Sequence, residues 1–379
     1  MVIESQLFGY VMLALLVALV VSFLASPIVK NFAYKVGAID VPKDARRMHK
    51  KPIPRLGGLA IFLGFMISVI LFVPIRGDRE MQSILLGAVI IVVLGVVDDI
   101  MALPAMLKFV VQIVAALIPV MNGVVIQAVS NPNIFSSEAY WVFGWLSVPV
   151  TVIWIVAVTN SVNLIDGLDG LANGVSAISA TTVLVIALLA SEAQVALVMA
   201  ALVGASVGFM PYNQNPAKMF MGDTGATFLG YILATMSIQG LFKFYAVVSF
   251  VVPFLILGLP IFDTAFAFIR RIAHGQSPMH ADRSHIHHRL IDMGLNQKQA
   301  VATLYVISAI LGLSAVVLTT GGEGKAMIFF AALCIVAVVA ARVVFPKEVT
   351  EELHEEFEEL KEEIGEHHNH KKGGEEKSE

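Results

Sequence analysis

Long apolar stretches separated by short polar segments run along most of this chain. A helix needs about 20 mostly apolar residues to cross the hydrocarbon core of a bilayer, and eleven stretches fit that length. Their approximate ranges are 8–29, 57–75, 81–98, 107–126, 146–163, 171–190, 193–210, 224–241, 245–268, 301–319 and 325–345. The pattern predicts an all-α, polytopic integral membrane protein with about eleven transmembrane helices. We expect the first to be a retained span rather than a signal peptide, because it is long and lacks a small-residue cleavage site.

The composition narrows the class of protein further. Hydrophobic residues make up 57% and charged residues 14% of the 379 residues, whereas about a quarter of a soluble domain is charged. These values exclude a soluble nucleic-acid-binding protein and a secreted protein. The chain has one cysteine, Cys334, which excludes a disulfide framework and a cysteine metal cluster. Because it falls inside an apolar stretch, we expect Cys334 to contribute to packing.

Lysine and arginine are distributed unevenly between alternate loops. With eleven spans, 21 of them fall on one side and 4 on the other, and the side rich in Lys and Arg is normally cytoplasmic. The N-terminus is therefore predicted outside and the C-terminus in the cytoplasm.

The net charge of −4 arises from residues 347–379, which carry thirteen acidic and five basic residues. We divide the chain into a membrane domain, 1–345, and an acidic cytoplasmic tail, 346–379, which is predicted to be partly helical or disordered.

Six aspartates occur inside or at the ends of the apolar stretches, where carboxylates are costly and usually functional. They are Asp98, Asp99, Asp166, Asp169, Asp223 and Asp263. The predicted topology puts all six at cytoplasmic ends of spans, although they were not used to assign the spans. The adjacent Asp98 and Asp99 repel each other and need a cation or a proton. They are candidates for Mg²⁺ binding or general base catalysis, or else an interfacial pair facing water. On the next helix, Lys108 is either a phosphate partner or a membrane anchor.

Two further segments combine these aspartates with glycine and amides. Residues 159–170 read Thr-Asn-Ser-Val-Asn-Leu-Ile-Asp-Gly-Leu-Asp-Gly; this is either a polar loop or a cavity lining whose oxygen atoms suit Mg²⁺. Residues 221–225 read Met-Gly-Asp-Thr-Gly. They place Asp223 at a helix start, where it is either an N-cap or a metal ligand.

A third segment concentrates histidine and arginine. Residues 280–289 read His-Ala-Asp-Arg-Ser-His-Ile-His-His-Arg. A zinc site, an anion clamp and an ordinary positive loop are the alternatives. Zinc usually brings cysteine or an acid at ligand spacing, and Asp282 is the only acid nearby. Arg283 and Arg289 favour a phosphate ligand instead.

Together and in this order, these segments resemble the polyprenyl-phosphate N-acetylhexosamine-1-phosphate transferases, the superfamily that includes phospho-MurNAc-pentapeptide translocase. The resemblance runs from about residue 26 to 345. It rests on Asp98-Asp99, on 163–170, on 221–225, on 285–289 and on Pro54-Arg55-Leu56-Gly57-Gly58, which is similar to the first-loop signature. His-Ile-His-His-Arg resembles the bacterial UDP-GlcNAc branch, whereas the muramyl branch tends to carry Pro-Ile-His-His-His. The acidic tail departs from the family pattern.

The resemblance implies that the protein transfers GlcNAc-1-phosphate from UDP-GlcNAc to undecaprenyl phosphate, giving GlcNAc-diphospho-undecaprenol and UMP. This would begin a cell-surface polysaccharide such as teichoic acid or O-antigen. It implies Mg²⁺ as cofactor, with Mn²⁺ as a substitute, a plasma-membrane location, a cytoplasmic active site in the 1–345 domain, and a homodimer without nucleic acid. Peptidoglycan pentapeptide transfer is the alternative, and an ion-coupled secondary transporter is a distant one.

The resemblance also implies roles for thirteen residues. The catalytic set is Asp98, Asp99, Asp166 and Asp169, with Asp98 favoured for orienting or deprotonating the lipid phosphate. The metal set is Asp223, Asn163, Asp98 and Asp99. The substrate-binding set is Lys108, Asn163, Arg283, His285, His287, His288, Arg289 and Arg55, and Arg46 and His49 are expected to assist. Direct displacement by the lipid phosphate is favoured over a covalent aspartyl intermediate, because that phosphate is already a nucleophile.

Overall fold

Helices account for most of the computed structural model, which describes residues 2–41, 52–130, 140–242, 251–273 and 285–321. In this part of the chain the α-helices are α1 (Val2–Val36), α2 (Gly57–Phe72), α3 (Arg79–Met101), α4 (Ala105–Met121), α5 (Ser147–Leu164), α6 (Leu171–Leu189), α7 (Ala193–Asn213), α8 (Gly222–Ser237), α9 (Val251–Ile256), α10 (Gly258–Ala273), α11 (Ile286–Asp292) and α12 (Gln297–Gly321). Two short antiparallel ladders join β1 (Ile39–Asp40) to β2 (Ile53–Pro54) and β3 (Ala128–Ser130) to β4 (Tyr140–Val142).

The helices are those of a multi-pass membrane protein. Six of them are long and apolar enough to cross a bilayer: α1, α3, α5 with the turn before it, α6, α7 and α12. Helices α2 and α4 are apolar but shorter. The first eight predicted spans and the tenth each correspond to one helix. The eleventh predicted span, Cys334 and the acidic tail lie outside the described residues, and the orientation of the termini stays a prediction.

The ninth predicted span, 245–268, is wrong as one continuous helix. The chain forms α9 up to Ile256 and starts α10 at Gly258. Pro260 explains the break, because proline has no N–H to donate to the carbonyl of Ile256 one turn earlier. The division matters for the site, since α10 carries Asp263.

Helix α8 is the centre of the bundle. Every residue from Thr224 to Ser237 is buried, and the helix packs against α2, α3, α5 and α6. Its first turn approaches two neighbouring helices at glycines: a Cβ at Gly58 would collide with Gly225, and one at Gly95 with the backbone of Thr224. Small residues permit such close approach between membrane helices. The start of α8 is therefore held rigidly by α2 and α3.

The segment that precedes α2 is joined to the α7–α8 loop by backbone hydrogen bonds. Gly57 and Gly58 donate to the carbonyls of Phe220 and Met221 at 3.0 and 2.9 Å, and Phe220 donates to Pro54 at 2.9 Å. Leu56 is buried with a φ of 76°, a left-handed conformation that is costly for a branched side chain. The Pro-Arg-Leu-Gly-Gly sequence thus forms a fixed edge beside the start of α8.

Candidate active site

A cavity of about 730 Å³ opens at one end of the helix bundle. Its wall combines the end of α1, the β1–β2 region, the α5–α6 loop, the α7–α8 loop, and the α11–α12 region. The polar side chains that line it are Lys30, Tyr34, Asp40, Arg55, Asn163, Asp166, Asp169, Asn213, Asn215, Lys218, Asp223, His288 and Gln297. Segments that are far apart in sequence therefore meet around one space.

Six of the predicted site residues line this cavity: Arg55, Asn163, Asp166, Asp169, Asp223 and His288. Asp98, Asp99 and Lys108 lie behind Asp223 and contact it, and His285 and His287 lie behind His288. The guanidinium carbon of Arg289 lies over the ring of Phe266, 5.6 Å from the ring centroid. Arg283 lies outside the described residues, as do Arg46 and His49.

Lys108 joins two of the carboxylates. Its ammonium donates to Asp98 Oδ2 at 2.9 Å and to Asp223 Oδ2 at 3.0 Å. The other oxygen of Asp98 accepts the backbone N–H of Leu103 at 2.7 Å, so the turn between α3 and α4 holds both partners in place. One positive charge thus serves two negative ones, which leaves the cluster with a net negative charge.

Asp99 caps the central helix from outside. Its Oδ1 accepts the N–H of Asp223 at 3.0 Å, and its Oδ2 accepts the N–H and hydroxyl of Thr224 at 3.0 and 2.7 Å. Gly222 has a φ of +72°, and a Cβ there would collide with the Asp99 carboxylate. The N-cap residue of α8 is Met221 rather than Asp223, and the Met221 side chain makes no capping hydrogen bond. Because Asp99 supplies the cap, the carboxylate of Asp223 can face the cavity.

The α5–α6 loop presents the second pair of aspartates. Asp169 Oδ2 accepts from the Asn215 amide and from the Ala217 backbone, both at 2.9 Å. Gly170 adopts a φ of +79°, and its carbonyl accepts the hydroxyl of Tyr305 on α12 at 2.6 Å. Asp169 therefore ties the α5–α6 loop to the α7–α8 loop, while α12 supports the loop from behind.

Asp166 lies in this loop beside the other carboxylates. Burial, together with the negative charges of Asp223 and Asp99, raises the pKa of Asp166 to about 8, and Arg55 only partly opposes this. A raised carboxyl pKa is the expected result of too much negative charge in one place. A cation in the cavity would relieve it.

The histidine segment, of which the structure describes residues 285–289, lies against the α5–α6 loop. The rings of His285 and His287 are stacked with centroids 5.7 Å apart and 6° between their planes, and His287 lies 4.3 Å from His288. A Cβ at Gly167 would collide with the imidazole of His287. The absence of a side chain at Gly167, between Asp166 and Asp169, therefore leaves room for this ring. Burial lowers the pKa of His287 to about 3, and the ring is therefore neutral near pH 7.

Several contributors were not assigned a site role from the sequence. Lys30 and Lys218 belong to no motif in the sequence and contribute there only to the excess of Lys and Arg on the predicted cytoplasmic side. The pair of Arg55 with Asp40, at 3.3 Å, has no local sequence signal. Lys30 interrupts the apolar face of a 35-residue helix, which is a usable clue. Asp263 was singled out as an aspartate at membrane depth, but its partner His285 lies 22 residues away and could not be identified from spacing.

The donor set fits a magnesium ion bound together with substrate. Within the described residues, no three His, Cys, Asp or Glu side chains form a ready-made metal cluster. Magnesium is usually held by one or two carboxylates, with water and substrate phosphates as the other ligands. Asp166 and Asp223 offer carboxylate oxygens to the cavity and Asn163 offers an amide oxygen, and the pKa of Asp166 is raised by burial and by the neighbouring carboxylates.

Comparison with known proteins identifies the family. The profile of glycosyl transferase family 4 matches residues 81–241, which contain Asp98 through Asp223. A Bacillus subtilis protein named probable undecaprenyl-phosphate N-acetylglucosaminyl 1-phosphate transferase is 41% identical over 347 residues, or 92% of this chain and 94% of that protein. The chain belongs to glycosyl transferase family 4. The resemblance inferred from the motifs is therefore confirmed.

Other relatives in the family differ in their named substrates. The Mycobacterium tuberculosis decaprenyl-phosphate N-acetylglucosaminephosphotransferase is 31% identical, with 79% of this chain and 80% of that protein covered. A phospho-N-acetylmuramoyl-pentapeptide-transferase from Halalkalibacterium halodurans is 28% identical, with 81% and 97% covered. Identity is thus higher to the two relatives named for GlcNAc transfer than to the one named for pentapeptide transfer.

Proposed function

We propose that this protein transfers GlcNAc-1-phosphate from UDP-GlcNAc to undecaprenyl phosphate, releasing UMP. One observation carries the proposal: Lys108 bridges Asp98 and Asp223 beside an acid-lined cavity, in a chain 41% identical to a relative named for this reaction. The identity of 41% to a relative named for GlcNAc transfer, against 28% to a pentapeptide transferase, supports GlcNAc over the muramyl donor. The product would be the first lipid-linked intermediate of a cell-surface polysaccharide.

The charges around the cavity suit two phosphorylated reactants. The diphosphate of the donor and the phosphate of the lipid repel each other, so cations must hold them together. Lys108, Arg55, Lys30 and Lys218 supply positive charge from different sides.

We propose that Mg²⁺, with Mn²⁺ as a substitute, is held by Asp223, Asn163 and Asp166. Asp98 and Asp99, which were also predicted as ligands, are replaced in this proposal by Asp166, because they lie behind Asp223 and their oxygens already accept hydrogen bonds. When bound, Mg²⁺ would neutralise phosphate charge and polarise the phosphoryl group.

The favoured reaction is a single displacement. A phosphate oxygen of undecaprenyl phosphate forms a bond to the β-phosphorus of UDP-GlcNAc. The bond from that phosphorus to the bridging oxygen breaks, and UMP leaves with the oxygen and its electron pair. Asp98, paired with Lys108, orients the lipid phosphate. Asp99 acts by holding the start of α8, since both its oxygens already accept hydrogen bonds there. Asp169 acts in a similar way through the α7–α8 loop.

We propose that the protein lies in the plasma membrane and that the cavity faces the cytoplasm, where nucleotide sugars are made. The excess of Lys and Arg in the loops on that side supports this orientation. The test uses a protein variant in which Cys334 is replaced and a single cysteine is introduced at position 218 or at position 77. These variants are labelled in intact cells. We expect an impermeant reagent to reach position 77 alone. The homodimer that the family resemblance implies stays a prediction, to be tested by the mass of the protein in detergent.

The deciding experiment measures UMP release by the purified full-length protein in detergent with undecaprenyl phosphate and Mg²⁺. UDP-GlcNAc, UDP-GalNAc and UDP-MurNAc-pentapeptide are supplied in parallel, and Asp223→Ala is the inactive control. We expect turnover with UDP-GlcNAc that stops with EDTA. Release with the pentapeptide donor alone would move the protein to peptidoglycan synthesis. Accumulation of a solute in vesicles without UMP release would favour the transporter alternative.

A further inference from the structure

We propose that Asp263 is a positioning residue that sets the orientation of the histidine segment and, through it, the binding of the sugar nucleotide. Asp263 lies on α10 with 3% of its surface exposed. Its Oδ2 lies 2.9 Å from Nδ1 of His285 in a hydrogen bond, and its Oδ1 accepts the backbone N–H of Ile286 at 2.8 Å. Both oxygens of a buried carboxylate are thus committed to one short segment.

The first consequence concerns the start of α11. His285 is the N-cap residue of this helix, and its side chain makes no capping hydrogen bond. The first backbone N–H groups of a helix have no partner within the helix itself. Asp263 satisfies the first of them, that of Ile286, from another helix. A seven-residue helix has little stability of its own, so this contact decides where α11 begins.

The second consequence concerns the proton on His285. An ionised carboxylate only accepts hydrogen bonds, so the proton must be on Nδ1. The ring orientation and tautomer of a histidine are set by the bond that one of its nitrogens makes. His285 then stacks on His287, which packs against Gly167 and contacts His288 in the cavity wall. A contact outside the cavity is thereby transmitted to its surface in three steps.

The test uses graded variants of the full-length protein. Asp263→Asn keeps an oxygen for the Ile286 N–H but removes the charge, and its amide cannot accept both hydrogen bonds. Asp263→Ala removes both. The matched control is Thr264→Val on the same helix, because the buried hydroxyl of Thr264 has no hydrogen-bond partner among the described residues and valine has nearly the same shape.

In the kinetic experiment, UMP release is measured against UDP-GlcNAc concentration. We expect Asp263→Asn to raise KM about tenfold or more, the usual effect of losing a hydrogen bond to a charged group. We expect kcat to fall far less, because a displaced His288 weakens binding of substrate and transition state alike. Thr264→Val should match wild type. Wild-type KM in a folded Asp263→Asn protein would overturn the proposal.

A double-mutant cycle separates positioning from general packing. If Asp263 acts through His285, adding Asp263→Asn to His285→Gln should change KM by less than about twofold, because the shared contact is already lost. Independent, additive losses would contradict the proposal.

The kinetic experiment rests on the function proposed above. A second measurement that does not need turnover therefore tests the role of Asp263 separately. Hydrogen–deuterium exchange of residues 285–292 reports the stability of α11 directly. We expect exchange to be fastest in Asp263→Ala, intermediate in Asp263→Asn and unchanged in Thr264→Val. If the wild type releases no UMP, the proposed function fails while the exchange result still decides the role of Asp263. Unchanged exchange in both Asp263 variants would overturn that role.

Discussion

Two walls of the cavity are built in different ways. The carboxylate wall consists of Asp223 in the cavity lining and of Asp98, Asp99 and Lys108 behind it, on helices α3, α4 and α8. The histidine wall consists of His288 in the lining and of Asp263, His285 and His287 behind it, and three of these four belong to α11 or its N-cap. The first wall is anchored in the buried centre of the bundle. The second depends on one buried aspartate.

This difference determines how each wall responds to a substitution. In the carboxylate wall, glycines bring α2 and α3 into backbone contact with α8, so there is no flexible neighbour to move aside. In the histidine wall, the contacts are between ring faces and one loop glycine, and a seven-residue helix can shift. Variants of the first wall should therefore act on chemistry without displacing the helices, and variants of the second should act on binding.

The largest expected effect is at Asp223. Asp223→Asn keeps the shape of the side chain but removes its charge, which faces the cavity and pairs with Lys108 at 3.0 Å. We expect UMP release to fall at least about a hundredfold, as when one preorganised electrostatic group is removed from an active site. Titration with Mg²⁺ should not restore it, and EDTA should abolish the wild-type activity. A folded variant with activity near wild type would show that Asp223 has no part in the reaction.

The next effect is at Lys108. Lys108→Met leaves Asp98 and Asp223 without their shared cation, whereas Lys108→Arg keeps the charge. We expect kcat/KM to fall about ten- to a hundredfold in the methionine variant, which corresponds to the loss of a charged hydrogen bond. The arginine variant should recover part of the activity. Equal losses in both variants would indicate that the shape of lysine matters rather than its charge.

A smaller effect should follow from disturbing the contact between the α5–α6 loop and the histidine wall. Gly167→Ala introduces a Cβ that collides with the imidazole of His287. Because the loop and α11 can both shift, we expect KM for UDP-GlcNAc to rise about tenfold with little change in thermal stability. Gly9→Ala is the matched control, since nothing lies within 4 Å of a Cβ at that position. Unchanged KM in Gly167→Ala would argue that the α5–α6 loop does not set the position of the histidine wall at this contact.

The smallest effect concerns the support behind the α5–α6 loop. Tyr305→Phe removes the hydroxyl that donates to the Gly170 carbonyl at 2.6 Å. One such hydrogen bond contributes about 1 kcal/mol to stability, so the melting temperature in detergent should fall by a few degrees, and activity by a few-fold at most. An activity loss as large as that of Lys108→Met would place Tyr305 closer to the reaction than its position behind Gly170 suggests.

Much of the site could be predicted because membrane depth makes charge conspicuous. All six aspartates were identified from their positions in apolar stretches, and five of them, Asp98, Asp99, Asp166, Asp169 and Asp223, line the cavity or contact its lining. The spacing of the aspartates in the sequence could not predict which of them hold other residues in place and which face the cavity. Asp99 lies in the last turn of α3 and Asp223 in the first turn of α8, yet only the packing of α3 against α8 makes one the cap of the other's helix.

The sequence by itself determined the membrane class, nearly all of the helices and the family, because hydrophobic length and short polar motifs are local properties of the chain. It also indicated which residues were too polar for their surroundings. The tertiary structure alone decided the bridge made by Lys108 and the pairing of Asp263 with His285. Those features depend on which helix ends meet, and such meetings are set by packing between residues up to 115 positions apart.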